Sequence, residues 1–203
     1  MTYCRSSSLL PYQLGFHHCS PVACQLTIRP AQPRDLNRLA EILADSFHPS
    51  QGLLSWLYPL FKLGIYEDLR SRLRSESSHY ICLVASMPVT AAAGKGEEIV
   101  GTVEIALRST FSWSTLDSQY PYISNLAVKN SYRRQGIARQ LLLKCEQIAV
   151  EWGVREISLH VLENNGRARQ LYCSGGYQLR RTESSLNSWL FKQPKRLLLV
   201  KSL

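Results

Sequence analysis

Apolar residues recur at helical spacing in some stretches of the chain and alternate with polar ones in others. Behind Asp35, the residues Leu36, Leu39, Ile42, Leu43 and Phe47 lie three or four apart, which predicts a helix that Pro49 ends. Residues 53–74 carry a second helical region, with interruptions expected at Pro59 and Gly64 and with Leu69 and Leu73 on one face. Ile137, Leu141, Cys145, Ile148 and Trp152 mark a long amphipathic helix that starts near Gly136 and is capped by Gly153. Strand patterns fall at 25–29 (broken by Pro30 and Pro33), 80–86, 99–107, 121–129, 156–162, 177–182 and 196–201. Residues 94–97 read as a turn and 111–120 as a polar-aromatic loop, while 166–174 is a short helix stopped by Gly175-Gly176. The order β-α-α-β-β-β-α-β-α-β-β predicts an α/β domain of the mixed α+β kind around one central sheet.

Composition narrows the class without choosing a function. A chain of 203 residues suits one domain with one core. No apolar run is long enough to cross a bilayer, so no membrane partner is expected. The formal net charge of +9 favours anions, whether nucleic acid, acidic protein surface or polyphosphate. No RNA-binding motif is present, and no stable nucleic-acid partner is expected. Cys4, Cys19, Cys24, Cys82, Cys145 and Cys173 form no CxxC pair, which reads as free thiols in a reducing compartment and no metal site. No acid occurs before Asp35. Residues 1–24 read as a flexible N-terminal extension with a composition resembling a transit peptide, ahead of a single domain over 25–203.

The densest chemical signal is Tyr132-Arg133-Arg134-Gln135-Gly136-Ile137-Ala138-Arg139, between a strand and the long helix. Free backbone N–H groups and the positive end of the helix dipole sit at such a start, where a pyrophosphate meets several donors. Gly136 and the small Ala138 allow close approach, and Arg133, Arg134 and Arg139 add positive charge. Neither a P-loop nor a dinucleotide fingerprint fits, because the Gly-Lys-Ser/Thr and the glycine triplet are missing.

Arg133-x-x-Gly136-x-Ala138, followed by Asn165-x-x-Ala168-x-x-Leu171-Tyr172 and then Gly176-Tyr177, resembles the two ordered motifs of GNAT acetyltransferases. The resemblance covers the chain from about Leu26 to its end. It implies the GNAT fold, a mostly antiparallel sheet with a splayed strand pair, and acetyl-CoA as acyl donor. The pantetheine arm would then pair with Leu126, Ala127 and Val128. The pyrophosphate would lie over Arg133, Arg134, Gln135, Gly136, Ile137, Ala138 and Arg139. Asn165 matches a residue that contacts the arm or nearby backbone, and Tyr172 the tyrosine beside the sulfur, a proton donor to the leaving thiolate.

For the base, the resemblance offers His160 and Tyr122, similar to a pair in some protein N-terminal acetyltransferases and acting through ordered water. The strand before the cradle carries no acid; Glu104 on the preceding strand is the competing base, more readily read as solvated or substrate-facing. A free α-amine has a pKa of about 8 and lysine about 10.4, so deprotonating lysine costs about 3 kcal/mol more. A weak, water-relayed base therefore suits α-amines. Residues 80–85, Ser188-Trp189 and 195–199 resemble the plastid and cyanobacterial GNAT group, which acetylates protein N-termini and, in several members, lysines. That group implies a cytoplasmic enzyme of cyanobacterial type, or a stromal one if residues 1–24 are a transit peptide. Two alternatives stay open: a small-amine (arylalkylamine-type) acetyltransferase using 111–120 with Trp56-Leu57-Tyr58, and a noncatalytic CoA-binding module.

Overall fold

A computed structural model of the chain describes residues 26–47, 55–75, 77–91, 94–109, 119–183 and 194–203. The elements are β1 (Thr27–Pro30), α1 (Leu36–Phe47), α2 (Tyr58–Arg74), β2 (Tyr80–Ala91), β3 (Gly94–Ser109), β4 (Gln119–Val128), α3 (Ile137–Glu151), β5 (Glu156–Leu162), α4 (Gly166–Ser174), β6 (Gln178–Glu183) and β7 (Arg196–Ser202). Their order is the one that the hydrophobic pattern predicts. The strands form one seven-stranded sheet in the order β1-β2-β3-β4-β5-β7-β6. Every neighbouring pair is antiparallel except β4 and β5, which need α3 as their crossover.

Each face of the sheet is covered. Ile137, Leu141, Cys145 and Ile148 of α3 and Tyr172 of α4 pack with Val103, Ile105, Ile123, Leu159 and Val161. On the other face Leu36, Leu39, Ile42 and Leu43 of α1 and Leu69 of α2 meet Cys82, Val84 and Ala127. Each such leucine or isoleucine, fully buried, contributes about 1.5–3 kcal/mol. Asp35 starts α1 from the 3-10 turn ahead of it. Its carboxylate accepts from the Gln32 N–H at 2.8 Å and from Arg29 at 2.7 Å.

Three sequence expectations change. The helix α2 runs unbroken from Tyr58. Pro59 lies in its first turn, where the missing N–H has no partner to lose, and a Cβ on Gly64 would meet nothing within 4 Å. The glycine-rich 94–97 is strand, paired with β2 as Ala91↔Gly94 through Pro88↔Glu97. Phe47, the last residue of α1, is 52% exposed and does not share the buried face. Pro49, Ser188-Trp189, residues 1–24 and most of the expected 111–120 loop lie outside the described residues; Gln119 and Tyr120 already belong to β4.

The feature that positions the site is in β4. Between the pairs Thr102↔Ala127 and Glu104↔Ser124, β4 carries one residue more than β3. Asn125 accommodates this bulge at φ 53°, a left-handed conformation that asparagine tolerates better than most side chains. Pairing of β4 with β5 is limited to Tyr122↔Ser158 and Ile123↔Leu159. Beyond Ile123 the two strands part, and Leu126, Ala127 and Val128 border the gap without a ladder partner on β5.

Candidate active site

The donor side is built where β4 leads into α3. The Tyr132 hydroxyl donates to Glu98 at 2.7 Å, and Lys129 forms an ion pair with the same carboxylate. Arg133 Nε donates to the Val128 carbonyl at 3.0 Å, so this arginine brackets the turn between strand and helix. Arg134 at φ 65° and Gly136 at φ 84° are both left-handed, and such turns gather successive N–H groups into a concave anion nest. The first bond of α3 runs from Gln140 N–H to Gly136 C=O at 3.1 Å, so the N–H groups before it emerge at the positive helix end. A Cβ on Gly136 would meet nothing within 4 Å. Glycine is therefore required there by the backbone angle, and the space before it is open. Arg134, Gln135 and Arg139 are exposed around this nest, while Ile137 is 2% exposed and anchors the helix in the core with the half-buried Ala138. The cradle thus fits a pyrophosphate through backbone donors and two exposed guanidinium groups.

The second motif lies across the gap. Asn165 caps α4, its Oδ1 accepting from the Ala168 N–H at 3.1 Å. Tyr172 is 8% exposed, with its ring 5.9 Å from that of Tyr177. Burial, and then the neighbouring Tyr122, push the Tyr172 phenol up to about 12. It stays protonated at neutral pH, as a proton donor must.

On the α1–α2 face, the Tyr122 hydroxyl lies 2.9 Å from His160 Nδ1. This is the pair that the sequence singles out, and the structure brings it together. Arg108 stacks 3.7 Å above the centre of the Tyr122 ring. His160 Nε2 meets Glu183 Oε2 at 3.1 Å, and Arg181 holds the other oxygen of Glu183 at 2.6 Å. Burial lowers the His160 pKa below its ordinary value, assisted by Arg196 and opposed by Glu183. The imidazole is neutral at neutral pH.

Glu104 is neither solvated nor substrate-facing. It is 1% exposed, and its oxygens accept from Arg72 at 2.7 Å and from Asn125 Nδ2 at 2.9 Å. This carboxylate joins α2 to the β4 bulge, buried and with a donor on each oxygen. Trp56 is 73% exposed and the Tyr58 hydroxyl bonds Asp45; residues 111–118, the other side of the expected aromatic pocket, lie outside the described residues. A cavity of about 620 Å³ lies beside α1, lined by Arg34, Arg38, Glu41, Asp45 and Lys129 among others, and none of the expected catalytic residues borders it. Among the described residues, no group of three His, Cys, Asp or Glu is placed to hold a metal.

Glu183, Arg108, Asn125 and Arg72 carry no motif and escape a reading of the sequence. Only Asn125 leaves a local trace, as an asparagine inside a strand pattern, which suits a bulge.

Residues 38–176, about two thirds of the chain, match the model of the acetyltransferase (GNAT) family. GCN5-related N-acetyltransferase 10, chloroplastic, of Arabidopsis thaliana is 27% identical over 172 residues, covering 82% of this chain and 67% of its own length. Thialysine N-epsilon-acetyltransferase of Bos taurus is 33% identical over 112 residues, covering 55% of this chain and 64% of its own. The chain therefore spans about two thirds of the length of either relative. The crystal structure of the PaiA N-acetyltransferase of Thermoplasma acidophilum with coenzyme A superposes with a TM-score of 0.63 at 19% identity, over 88% of this chain and 99% of that one. That likeness is one of fold. Because the family match spans both the cradle and the second motif, on a sheet that opens between them, the chain belongs to the GNAT acetyltransferases, enzymes whose acyl donor is acetyl-CoA.

Proposed function

We propose that this chain transfers the acetyl group of acetyl-CoA to protein N-terminal α-amines, with lysine side chains as a second acceptor. The observation that carries the reading is the 2.9 Å contact of Tyr122 with a neutral His160, which flank the short paired stretch of β4 and β5 where the strands part. In this reading the cradle binds the pyrophosphate through its N–H groups, with Arg134 and Arg139 beside it. The unpaired edge of Leu126, Ala127 and Val128 aligns the pantetheine arm, and the α4 cap at Asn165 borders it. Tyr122 and His160 take the proton from the amine. The free amine attacks the acyl carbon, the C–S bond breaks, and Tyr172 protonates the departing thiolate. A base no stronger than an imidazole suits an α-amine of pKa about 8 better than a lysine of about 10.4.

Similarity to the thialysine enzyme favours a second reading, a free small amine as acceptor. Competition among three acceptors at saturating acetyl-CoA separates the two: a peptide with a free α-amine, an N-blocked peptide with one lysine, and thialysine. The α-amine peptide is expected to have the highest kcat/KM; a clear preference for thialysine would overturn the proposal. The chloroplastic relative supports a plastid location over a cytoplasmic one, which organelle fractionation of the tagged chain tests.

A further inference from the structure

Both ring nitrogens of His160 are engaged, and this constrains which atom can meet an acceptor. Nδ1 faces the Tyr122 hydroxyl at 2.9 Å and Nε2 faces Glu183 Oε2 at 3.1 Å. A neutral imidazole has one N–H and one lone pair, and the partner of one nitrogen decides the state of the other. The hydrogen bond from Arg181 lowers the Glu183 pKa and keeps the carboxylate ionised, and an ionised carboxylate only accepts. Nε2 must then carry the proton, Nδ1 presents its lone pair, and the Tyr122 O–H donates to it.

We infer that Glu183 is a positioning residue that sets the His160 tautomer, so that Tyr122 Oη, and not the imidazole, is the atom that takes the acceptor's proton. The inference rests on the amine-acetylating function proposed above. The proton balance is closed. One proton leaves the ammonium for Tyr122 Oη, directly or through a water, as the phenolic proton moves to His160 Nδ1. The imidazolium is held between Tyr122 and the Glu183 carboxylate. The C–N bond then forms, the C–S bond breaks, Tyr172 gives its proton to the thiolate, and the new amide nitrogen loses its surplus proton to solvent; solvent reprotonates Tyr172, and the imidazolium releases its proton to solvent as Tyr122 regains its own. Glu183 reaches this position through the sheet order. His160 and Arg181 both pair with Leu198 of the intervening β7, and Glu183 lies two residues beyond Arg181 on the same face.

The described charged and titratable groups that bear on His160 are Arg108 from β3, Tyr122 from β4, Glu183 and its partner Arg181 from β6, and Arg196 from β7. Among them Glu183 alone favours the protonated ring, while Arg196 and Arg108 oppose it. In Glu183→Gln a side-chain amide can donate to Nε2 and reverse the tautomer, and the support for the imidazolium is lost. At saturating concentrations of both substrates, kcat is expected to fall about tenfold to hundredfold. Its acid limb should move to lower pH, and KM for acetyl-CoA should stay within about twofold of wild type. The amine used is whichever of the three acceptors above the wild type acetylates fastest.

Long-range ¹H–¹⁵N spectra of the wild-type chain, with His160→Gln assigning the signal, read the tautomer without any activity. The expected state is neutral His160 protonated on Nε2, switching to Nδ1 in Glu183→Gln. Protonation on Nδ1 in the wild type would overturn the inference, as would unchanged kcat and pH profile in a folded Glu183→Gln chain. Absence of acetylation of all three amines by the wild type would instead remove the functional reading, and the spectrum would still decide the role of Glu183.

Discussion

Gly136 and Tyr172 act on opposite ends of the same donor molecule, and their substitutions should separate binding from chemistry. Gly136 sits at φ 84°, where a Cβ costs about 1–2 kcal/mol. Because the space before it is open, Gly136→Ala should fold with a modest loss of stability and weakened acetyl-CoA binding. Gly136→Glu adds a negative charge at the cradle and should abolish the thermal shift that acetyl-CoA produces in the wild type; an undiminished shift would remove the cradle from the donor site. Tyr172→Phe keeps the ring packing against Tyr177 and deletes the hydroxyl. Turnover should fall by about 10² or more with acetyl-CoA affinity preserved, since the hydroxyl matters as thiolate charge develops. Single-turnover kinetics with an unchanged chemical step would exclude the acid role, and would revive a chain that binds CoA without using this tyrosine. His160 has a stability signature as well. Its folded pKa lies below the unfolded value of about 6.5, so charging it opposes folding. Stability should decline as pH drops from about 6.5 through the folded pKa, and less steeply in His160→Gln when melting temperatures are compared across that range.

At the scale of elements, the bulge in β4 is braced from the far side by α2. Arg72 reaches from that helix to the buried Glu104, whose second oxygen holds Asn125 in its left-handed turn. The two ends of this pair differ in burial, with side-chain exposure of 39% for Arg72 and 1% for Glu104. Removing the arginine strands a buried carboxylate, which costs about 3–5 kcal/mol, whereas removing the acid leaves a cation that water can reach. Arg72→Met should therefore destabilise more than Glu104→Gln in urea unfolding at neutral pH. Equal losses in the two variants would mean that the pair contributes through packing alone. Gly101 on β3 faces the bulge from the other side. A Cβ there would lie 3.1 Å from the Ala127 carbonyl and 3.3 Å from Leu141. Gly101→Ala should cost about 1–3 kcal/mol and weaken acetyl-CoA binding with it, because the strained contacts lie between the gap-lining strand and the start of the cradle helix.

Across the whole molecule, the formal charge of +9 meets a donor that carries several phosphates. Association with acetyl-CoA should therefore be steered over distances longer than any single contact. The association rate measured by stopped flow should fall several-fold between about 0.01 M and about 0.15 M salt, as the screening length drops from about 30 Å to about 8 Å. The rate of the bound chemical step should hardly change. A flat association rate would confine the favourable charge to the cradle itself.

The order of elements and the cradle were legible from the chain alone, because both depend on residues close in sequence. Helical spacing places Leu36, Leu39 and Leu43 on one side of α1 whatever they later touch. A glycine between a strand and an amphipathic helix, among arginines, marks an anion-binding helix start for the same local reason. Tertiary packing decided the rest. It extended the β2–β3 hairpin through glycines that look like a loop, whereas α2 keeps Pro59 in its first turn and Gly64 where nothing packs against it. The surroundings of the base could not be read from the sequence. Glu183 lies 23 residues from His160 and meets it because β7 inserts between β5 and β6. Glu104, which by composition alone stands as a candidate base, is withdrawn from that role by Arg72, 32 residues away on α2. Sheet order and register set these partnerships, and both follow from burying the faces of the whole sheet at once, which no local pattern encodes.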